Sequence, residues 1–280
     1  MSTVFMFPGQ GSQALGMGDE LFDRYPVQVA EADAILGYSI KELCLENPDG
    51  MLNNTDYTQP ALYTVDVLSF LAKIEDEDIT PDFVIGHSLG EYAALYASGA
   101  FDFATGLKLV QKRGALMSAA TGGGMAAILG MDGDAVATAL AELGANSIDV
   151  ANFNSPRQTV ISGLKADIET FAPQLKEKGA KRVVILPVSG AFHSRYMKSA
   201  ADEFKAFLAD ISFGSLKVPC IANCSAESYT DESIASNLVS QIYRSVRWID
   251  TIKSLREQGA DTFVEVGPGT VLSGLTRQIK

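Results

Sequence analysis

The stretch FVIGHSLGEYAAL occupies residues 83–95 and decides the fold class. Its first three residues are apolar and predict a short buried strand, whereas the alanine-rich residues 91–98 predict a helix. Between them, GHSLG at residues 86–90 matches G-x-S-x-G, the pattern of a sharp strand-to-helix turn that exposes a serine hydroxyl. We therefore predict that Ser88 is a nucleophile. The alternative is a glycine-rich turn that carries an ordinary serine.

Strands and helices alternate on both sides of this turn, which predicts an α/β protein with a mostly parallel sheet. The acidic residues 75–78 are expected to form a solvated connection. Three glycines at 122–124 predict a flexible joint, and the elements that follow run βαββαβ, which is typical of a ferredoxin-like unit. We expect two domains. Residues 1–122 and 189–280 form the larger one, and residues 123–188 form the smaller one.

Composition and charge restrict the classes of function. The chain has 22 Lys and Arg against 34 Asp and Glu, a net charge of −12, which argues against a nucleic-acid partner. No apolar run approaches the ~18 residues of a membrane span, and the first residues do not resemble a signal peptide. Cys44, Cys220 and Cys224 form neither a disulfide framework nor a complete metal site. We expect a cytoplasmic protein without a metal or a membrane partner.

A nucleophilic serine needs a base, and the chain contains two histidines. His87 adjoins Ser88 in the tight turn, so its side chain should point away from the serine hydroxyl. His193 follows a predicted strand within SGAFHS, where a catalytic loop is expected, and we predict that it is the base. The alternative is a core or surface histidine. The third group stays open between Asp202, Asp250 and a backbone carbonyl.

Two further segments carry candidate binding groups. Arg113 lies in a predicted amphipathic helix, where it is either solvated or a guanidinium that pairs with a substrate carboxylate. The loop GQGSQ at residues 9–13 lacks the spacing and the lysine of a P-loop, although phosphate binding stays open. Alternatively, the backbone N–H of Gln10 donates to an oxyanion, together with that of Leu89 at the helix start.

Together these motifs resemble the malonyl-CoA:acyl carrier protein transacylase family over essentially the whole chain. The segments that carry the resemblance are FPGQGSQ at 7–13, TQPA at 58–61, GHSLGEY at 86–92, QKRG at 111–114, AFHS at 191–194, VRW at 246–248 and EVGPG at 265–269. The resemblance implies an α/β-hydrolase-like core with an inserted ferredoxin-like subdomain. Residues 38–40 and 122–125 look like those of discrete acyltransferases that serve polyketide synthases.

The resemblance also implies roles for individual residues. Ser88 is the acylated residue and His193 is its base, which the backbone carbonyl of Gln241 orients. The backbone N–H groups of Gln10 and Leu89 form the oxyanion hole. This arrangement implies a ping-pong transfer through a malonyl-serine ester and no metal or redox cofactor.

Substrate and partner follow from the same resemblance. Arg113 would hold the free carboxylate of malonyl-CoA, and Phe192 and Met117 would also contact the substrate. The bulk of Phe192 would crowd a 2-methyl branch. The phosphopantetheine thiol of an acyl carrier protein would accept the malonyl group. Basic residues expected where an acidic carrier docks are Lys181, Arg182, Arg195, Lys198, Arg244 and Arg247.

Three other functions remain as alternatives. The fatty-acid-synthesis transacylase shares all of these motifs. A serine hydrolase that removes acyl groups from carrier proteins would use the same serine and histidine, but Arg113 argues against it. A catalytically idle scaffold would keep Ser88 and His193 without using them.

Overall fold

The computed structural model describes residues 2–280, so Met1, the first residue of the predicted larger domain, lies outside the described residues. The strands are β1 (Ser2–Phe7), β2 (Phe83–Gly86), β3 (Gly123–Leu129), β4 (Asp149–Ser155), β5 (Gln158–Leu164), β6 (Arg182–Ile185) and β7 (Ala260–Glu265). The helices are α1 (Asp19–Arg24), α2 (Pro26–Leu36), α3 (Ile40–Leu45), α4 (Thr55–Glu77), α5 (Gly90–Ser98), α6 (Phe103–Ala119), α7 (Gly133–Glu142), α8 (Lys165–Phe171), α9 (Lys198–Leu208), α10 (Ile234–Tyr243), α11 (Trp248–Glu257) and α12 (Val271–Thr276).

A parallel sheet with the order β2-β1-β7 forms the centre of the molecule. Alternate residues of β1 face opposite sides of this sheet, as the period of two in a strand requires. Phe5 and Phe7 join the main core, whereas Val4 and Met6 pack into a second core that includes Trp248. Both faces of this sheet are therefore covered, as is usual for parallel strands. The predicted α/β class is confirmed.

A second sheet is antiparallel and has the order β4-β5-β3-β6. With α7 and α8 it follows the predicted βαββαβ order. Alternate residues of its strands face opposite sides of the sheet. Ile128 and Ile161 pack in a core of their own on one side, whereas Ala127 and Val160 join the main core on the other. The inserted antiparallel unit that the sequence predicted is therefore present.

The edge strand β4 also pairs with a segment that lies outside the antiparallel sheet. The N–H of Phe153 donates to the carbonyl of Val246 at 2.9 Å, and the N–H of Val246 donates to the carbonyl of Ala151 at 2.9 Å. The hydroxyl of Ser245 donates to the carbonyl of Val150 at 2.6 Å. These bonds join the antiparallel unit to the segment between α10 and α11.

Two local expectations were wrong. Residues 75–77 are exposed, as expected, but they form the last turn of α4 rather than a connection, and Arg24 offsets their charge by pairing with both Glu75 and Asp76 at 2.8 Å. The glycines at 122–124 are not all a flexible joint, since β3 begins at Gly123. A Cβ at Gly123 would lie 2.1 Å from the backbone nitrogen of Ala191, so this glycine permits close packing. In residues 2–280 no helix is long and apolar enough to cross a membrane.

Candidate functional site

The turn between β2 and α5 carries the candidate nucleophile. Ser88 has a φ of 51°, in the left-handed region that residues with a side chain rarely adopt. A Cβ at Gly86 would lie 2.0 Å from the carbonyl carbon of Gly90, and one at Gly90 would lie 2.0 Å from the carbonyl oxygen of Phe7. Both glycines are therefore required by close contact between β1, β2 and α5, as a serine-bearing turn of this kind needs.

The structure brings Ser88 and His193 together. The hydroxyl of Ser88 lies 2.7 Å from Nε2 of His193. The other ring nitrogen, Nδ1, lies 2.8 Å from the carbonyl oxygen of Gln241 and 3.1 Å from that of Arg244. Two carbonyl acceptors require a proton on Nδ1, which leaves Nε2 free to accept one from the serine.

The environment of His193 keeps the imidazole neutral. The residue is 4% exposed, and its burial, with the positive charge of Arg113, lowers the pKa of His193 to about 3. A neutral imidazole is the form that acts as a base. The aspartates that the sequence left open have other partners, because Asp202 pairs with Lys198 and Asp250 pairs with Arg247. Backbone carbonyls occupy the third position instead.

Arg113 is a buried cation whose hydrogen-bond partners are all neutral. It is 1% exposed, on α6. Nη1 donates to Oε1 of Gln59 at 2.7 Å, and Nη2 donates to Oε1 of Gln241 at 2.9 Å and to the hydroxyl of Ser88 at 3.1 Å. Burial lowers the pKa of Arg113, but a guanidinium stays charged in proteins. Within residues 2–280 no ion pair includes Arg113.

Two backbone N–H groups are available as donors next to the serine. Among the described residues, neither the N–H of Gln10 nor that of Leu89 has a hydrogen-bond acceptor. Gly9 brings the two segments together, because a Cβ there would lie 2.2 Å from the carbonyl oxygen of His87 and 3.5 Å from the nitrogen of Leu89. Two donors without acceptors on adjoining segments make this pair a candidate oxyanion site.

A cavity of about 290 Å³ joins these groups. One side contains the candidate residues Gln10, Ser88, Arg113, Met117, Phe192 and His193. The opposite side comes from the antiparallel sheet and includes Met125, Ala127 and Val160. The residues that the sequence nominated for substrate contact, Met117 and Phe192, therefore both line the cavity.

His87 turns away from Ser88, as expected at a tight turn. Its Nε2 lies 2.8 Å from Oδ1 of Asn154 in β4, and its ring packs against Trp248 with the centroids 5.6 Å apart. Burial lowers the pKa of His87. The side chain thus connects the serine turn to the antiparallel sheet.

Four polar residues around the serine were missed by sequence reasoning. Gln59 contacts Arg113, and Asn223 contacts the backbone of Ser88. Glu91 is fully buried, and burial raises its pKa to about 7. The side chain of Gln241, for which only the carbonyl was nominated, also contacts Ser88 and Arg113. Gln59 and Glu91 stand within segments that carried the resemblance, whereas Asn223 has no local signal.

The nominated basic residues differ in their surroundings. Arg195, Arg244 and Arg247 line an open cleft of about 1120 Å³ that also reaches His193. Arg195 pairs with Asp149, and Arg244 packs on the ring of Tyr243 at 5.8 Å. The others are Lys198, paired with Asp202, and Lys181 and Arg182, at the start of β6.

The cysteines are buried or half-buried free thiols. Burial raises the pKa of Cys44 to about 12 and that of Cys224 to about 11, and raises that of Cys220 as well. None therefore has the thiolate character of a reactive cysteine. Within the described residues, no group of three or more His, Cys, Asp or Glu side chains is arranged to hold a metal ion.

A serine on a strand-to-helix turn of an α/β core, facing a buried neutral histidine, is the arrangement of enzymes that transfer or hydrolyse acyl groups. The fold and the site together define that class. Residues 4–279 match the family model of the acyl transferase domain. The chain belongs to the malonyl-CoA:acyl carrier protein transacylase family and is an acyltransferase.

Individual relatives are similar over their whole length. The chain is 54% identical over 280 residues, 99% of this chain and 96% of the relative, to the polyketide biosynthesis malonyl CoA-acyl carrier protein transacylase BaeC of Bacillus velezensis. The crystal structure of a malonyl CoA-acyl carrier protein transacylase from Burkholderia pseudomallei is 45% identical, with a TM-score of 0.95 and coverage of 100% and 98%. A malonyl-transacylase in complex with a type II polyketide acyl-carrier protein is 39% identical, with a TM-score of 0.94 and coverage of 100% and 93%.

Proposed function

We propose that the protein transfers a malonyl group from malonyl-CoA to the phosphopantetheine thiol of an acyl carrier protein. The observation that carries this proposal is the buried Arg113, a cation with only neutral partners beside the Ser88 hydroxyl. A buried unpaired charge is costly, so the site favours a ligand that brings a carboxylate. A malonyl thioester carries a carboxylate on one end and a reactive carbonyl on the other.

The first half-reaction acylates Ser88. The malonyl carboxylate pairs with Arg113, which places the thioester carbonyl next to the serine oxygen. Nε2 of His193 takes the hydroxyl proton as the serine oxygen bonds to the carbonyl carbon. The N–H groups of Gln10 and Leu89 stabilise the oxyanion. The carbon–sulfur bond then breaks, and His193 returns the proton to the sulfur of coenzyme A.

The second half-reaction runs in the reverse sense with a different thiol. The phosphopantetheine thiol of the carrier gives its proton to His193 and bonds to the malonyl carbonyl carbon. The bond to the serine oxygen breaks, and His193 returns the proton to Ser88. His193 carries each proton between Ser88 and the two thiols, so no cofactor takes part in the proposed proton transfers.

Phe192 supports a preference for an unbranched malonyl group. The side chain is 5% exposed, and it lines the cavity one residue before His193. Its ring packs against Gly190, where a Cβ would lie 2.3 Å from the ring, so it has little room to withdraw. A methyl group on C2 of the acyl chain would compete with this ring for space. Met117, also in the cavity wall, accepts a hydrogen bond from Nε2 of Gln59 at 3.6 Å.

We propose a polyketide synthase carrier as the partner, reached in trans and in the cytoplasm. The identity of 54% to a transacylase that is named for polyketide biosynthesis supports this assignment. Arg195, Arg244 and Arg247 are placed to meet an acidic carrier at the cleft that reaches His193. The free thiols support a reducing compartment. Residues 1–122 with 189–280, and residues 123–188, would act as the two domains that form the cavity.

The test is the intact mass of the protein after brief exposure to malonyl-CoA, methylmalonyl-CoA and acetyl-CoA in parallel. We expect a malonyl adduct on the wild type, none on Ser88→Ala, and a strongly reduced yield on Arg113→Ala. Lys108→Ala is the matched control, because it removes an exposed cation from the same helix. Acetyl transfer should be affected far less by Arg113→Ala, since an acetyl group has no free carboxylate to pair with the guanidinium.

Three results would contradict the proposal. Rapid release of free malonate without an adduct would indicate a hydrolase. Neither adduct nor release would indicate a scaffold. Faster loading of a fatty-acid-synthesis carrier than of polyketide carrier domains would move the protein to the fatty-acid pathway.

A further inference from the structure

Two side-chain amides hold the backbone of Ser88 on either side of its α-carbon. The N–H of Ser88 donates to Oδ1 of Asn223 at 2.7 Å, and the carbonyl of Ser88 accepts from Nε2 of Gln241 at 2.5 Å. Nδ2 of Asn223 also donates to the carbonyl of Gly86 at 2.6 Å. The amide of Asn223 therefore spans the turn from the end of β2 to the candidate nucleophile.

This bridge accounts for the unusual backbone of Ser88. A residue with a side chain keeps a left-handed conformation, here a φ of 51°, only when its surroundings enforce it. Asn223 fixes the turn at two points with complementary donor and acceptor. Because Asn223 occupies the N–H of Ser88, the next N–H, that of Leu89, is the one left without an acceptor among the described residues.

A buried carboxylate holds Asn223 in place. Oε1 of Glu91 accepts from the backbone N–H of Asn223 at 3.0 Å and from the hydroxyl of Tyr229 at 2.6 Å. Glu91 is 0% exposed and lies in the first turn of α5, directly after Gly90. The helix that begins after Ser88 therefore also carries the acceptor that anchors Asn223, so the turn and its support are fixed to the same element.

We propose that Asn223 is the positioning residue of the nucleophile and that Glu91 holds it there. Neither side chain contacts the reacting atoms. Asn223 acts through the backbone of Ser88, directing the hydroxyl toward His193 and reserving the N–H of Leu89 for the oxyanion. The inference rests on the proposed function, because it assigns both roles within the acylation of Ser88.

The first measurement is single-turnover acylation by malonyl-CoA, followed by intact mass at several malonyl-CoA concentrations. We expect Asn223→Ala to slow acylation about 100-fold, the scale reported for a misplaced reacting group. The half-saturating concentration should change less than about threefold, because Arg113 and the cavity are untouched. The matched control is Asn237→Ala on α10, whose side chain accepts from Sγ of Cys224 rather than bonding to the turn. It should react at the wild-type rate.

Asn223→Asp gives a readout that a merely structural role would not produce. The introduced carboxyl replaces both hydrogen bonds only when protonated, since a carboxylate would repel the carbonyl of Gly86. The carboxyl of Glu91, which accepts from the backbone N–H at position 223, disfavours ionisation of the introduced carboxyl, whereas Arg113 on α6 favours it. We expect acylation by this variant to rise up to about tenfold per pH unit from pH 8 to 6. The wild type carries the same Glu91, whose pKa is raised to about 7, so the wild-type profile is the reference and the variant should be clearly steeper than it.

A fluorophosphonate probe reports the reactivity of Ser88 without malonyl-CoA. Labelling about 100-fold slower in Asn223→Ala supports the inference even if malonyl-CoA proves to be the wrong substrate. Wild type that is labelled but not acylated by malonyl-CoA would contradict the proposed function alone. Equal labelling rates for wild type and Asn223→Ala, or an Asn223→Asp pH profile no steeper than that of the wild type, would overturn the positioning role. If Asn223→Ala does not fold, the Asn223→Asp comparison at two pH values decides, since it uses one folded variant.

Discussion

On the parallel-sheet side of the cavity, Ser88, His193 and Arg113 each take part in two or more hydrogen bonds. The antiparallel sheet contributes a second group, the apolar Met125, Ala127 and Val160, beside the amides of Asn152, Asn154 and Gln158. The first group is fixed by directional contacts whose geometry tolerates little displacement. The second group is held by packing, which determines volume but not the direction of a reacting atom. The difference teaches that the first side determines the rate and, through Arg113 and Phe192, favours a malonyl group, whereas the second group determines how much space the thioester has.

The largest expected effect is that of His193→Ala on the directional side. We expect acylation to fall about 10³-fold or more, the usual contribution of a general base, with little change in the half-saturating concentration. Burial lowers the pKa of His193 to about 3, so protonation of this imidazole should not reduce the wild-type rate between pH 8 and about pH 5. Stopped-flow release of coenzyme A measures both. Asp202→Ala is the control, and an equal loss there would break the comparison.

Gly90→Ala tests the backbone contacts that aim the serine. A Cβ there would lie 2.0 Å from the carbonyl oxygen of Phe7, so β1 and α5 must separate. We expect the free energy of unfolding to fall by about 3 kcal/mol, as for other overpacked core sites. Gly274→Ala in α12 is the matched control, because a Cβ there meets nothing within 4 Å and alanine favours a helix. Urea denaturation of both variants gives the difference; equal stabilities would show that the turn tolerates displacement.

Asp66→Asn tests a buried carboxyl that has no directional contact, outside the cavity lining. Asp66 on α4 is 0% exposed, and neither carboxylate oxygen has a hydrogen-bond partner within the described residues. Burial, with the nearby Glu265, raises the pKa of Asp66 well above the ordinary value of 3.8. The folded state thus holds a proton that the unfolded chain releases as the pH rises above about 4. Stability is therefore lost with rising pH until the folded-state pKa is reached.

We expect Asp66→Asn to raise the free energy of unfolding by about 1–2 kcal/mol at pH 8. The gain should shrink toward zero near pH 3, where the carboxyl is mostly protonated in both states. Thermal unfolding across this range measures the trend. A variant less stable than the wild type at pH 8 would show that the carboxylate has a partner after all.

The smallest expected effect is that of Leu186→Ala, which removes a half-buried apolar side chain from the cavity wall. We expect the maximal acylation rate to change less than about threefold, with the half-saturating malonyl-CoA concentration rising about fivefold for roughly 1 kcal/mol of lost apolar contact. Steady-state kinetics separates the two parameters. A loss in rate as large as that of His193→Ala would show that this side also aims the reacting atoms.

The elements nearest the serine turn were predictable because their signals are local. The apolar run of β2, the glycines of the turn and the alanine-rich α5 lie next to one another in the chain, and the fold class followed from them. The choice between His87 and His193 also followed from local geometry, since adjacent side chains diverge at a tight turn. The structure adds the hydrogen-bond partners of the two histidines, Asn154 for His87 and Ser88 for His193.

The supporting groups were not predictable because their signals are distant. Asn223 bonds to Ser88 across 135 positions of sequence, and no pattern in its own segment indicates the contact. Similarly, the acidic end of α4 is offset by Arg24, more than 50 positions away. A single sequence shows which residues have reactive chemistry, but not which distant polar group satisfies a buried backbone atom.

The bonds between β4 and residues 245–246 have a consequence for exchanging modules among relatives. Val246 continues the ladder of β4, and Ser245 bonds to the same strand, so this short segment behaves as part of the antiparallel unit. It follows Arg244, whose carbonyl contacts His193. A chimera that exchanges residues 123–188 alone would leave a foreign strand edge against the native segment. A compatible graft carries residues 244–247 with it, although they lie far along the chain.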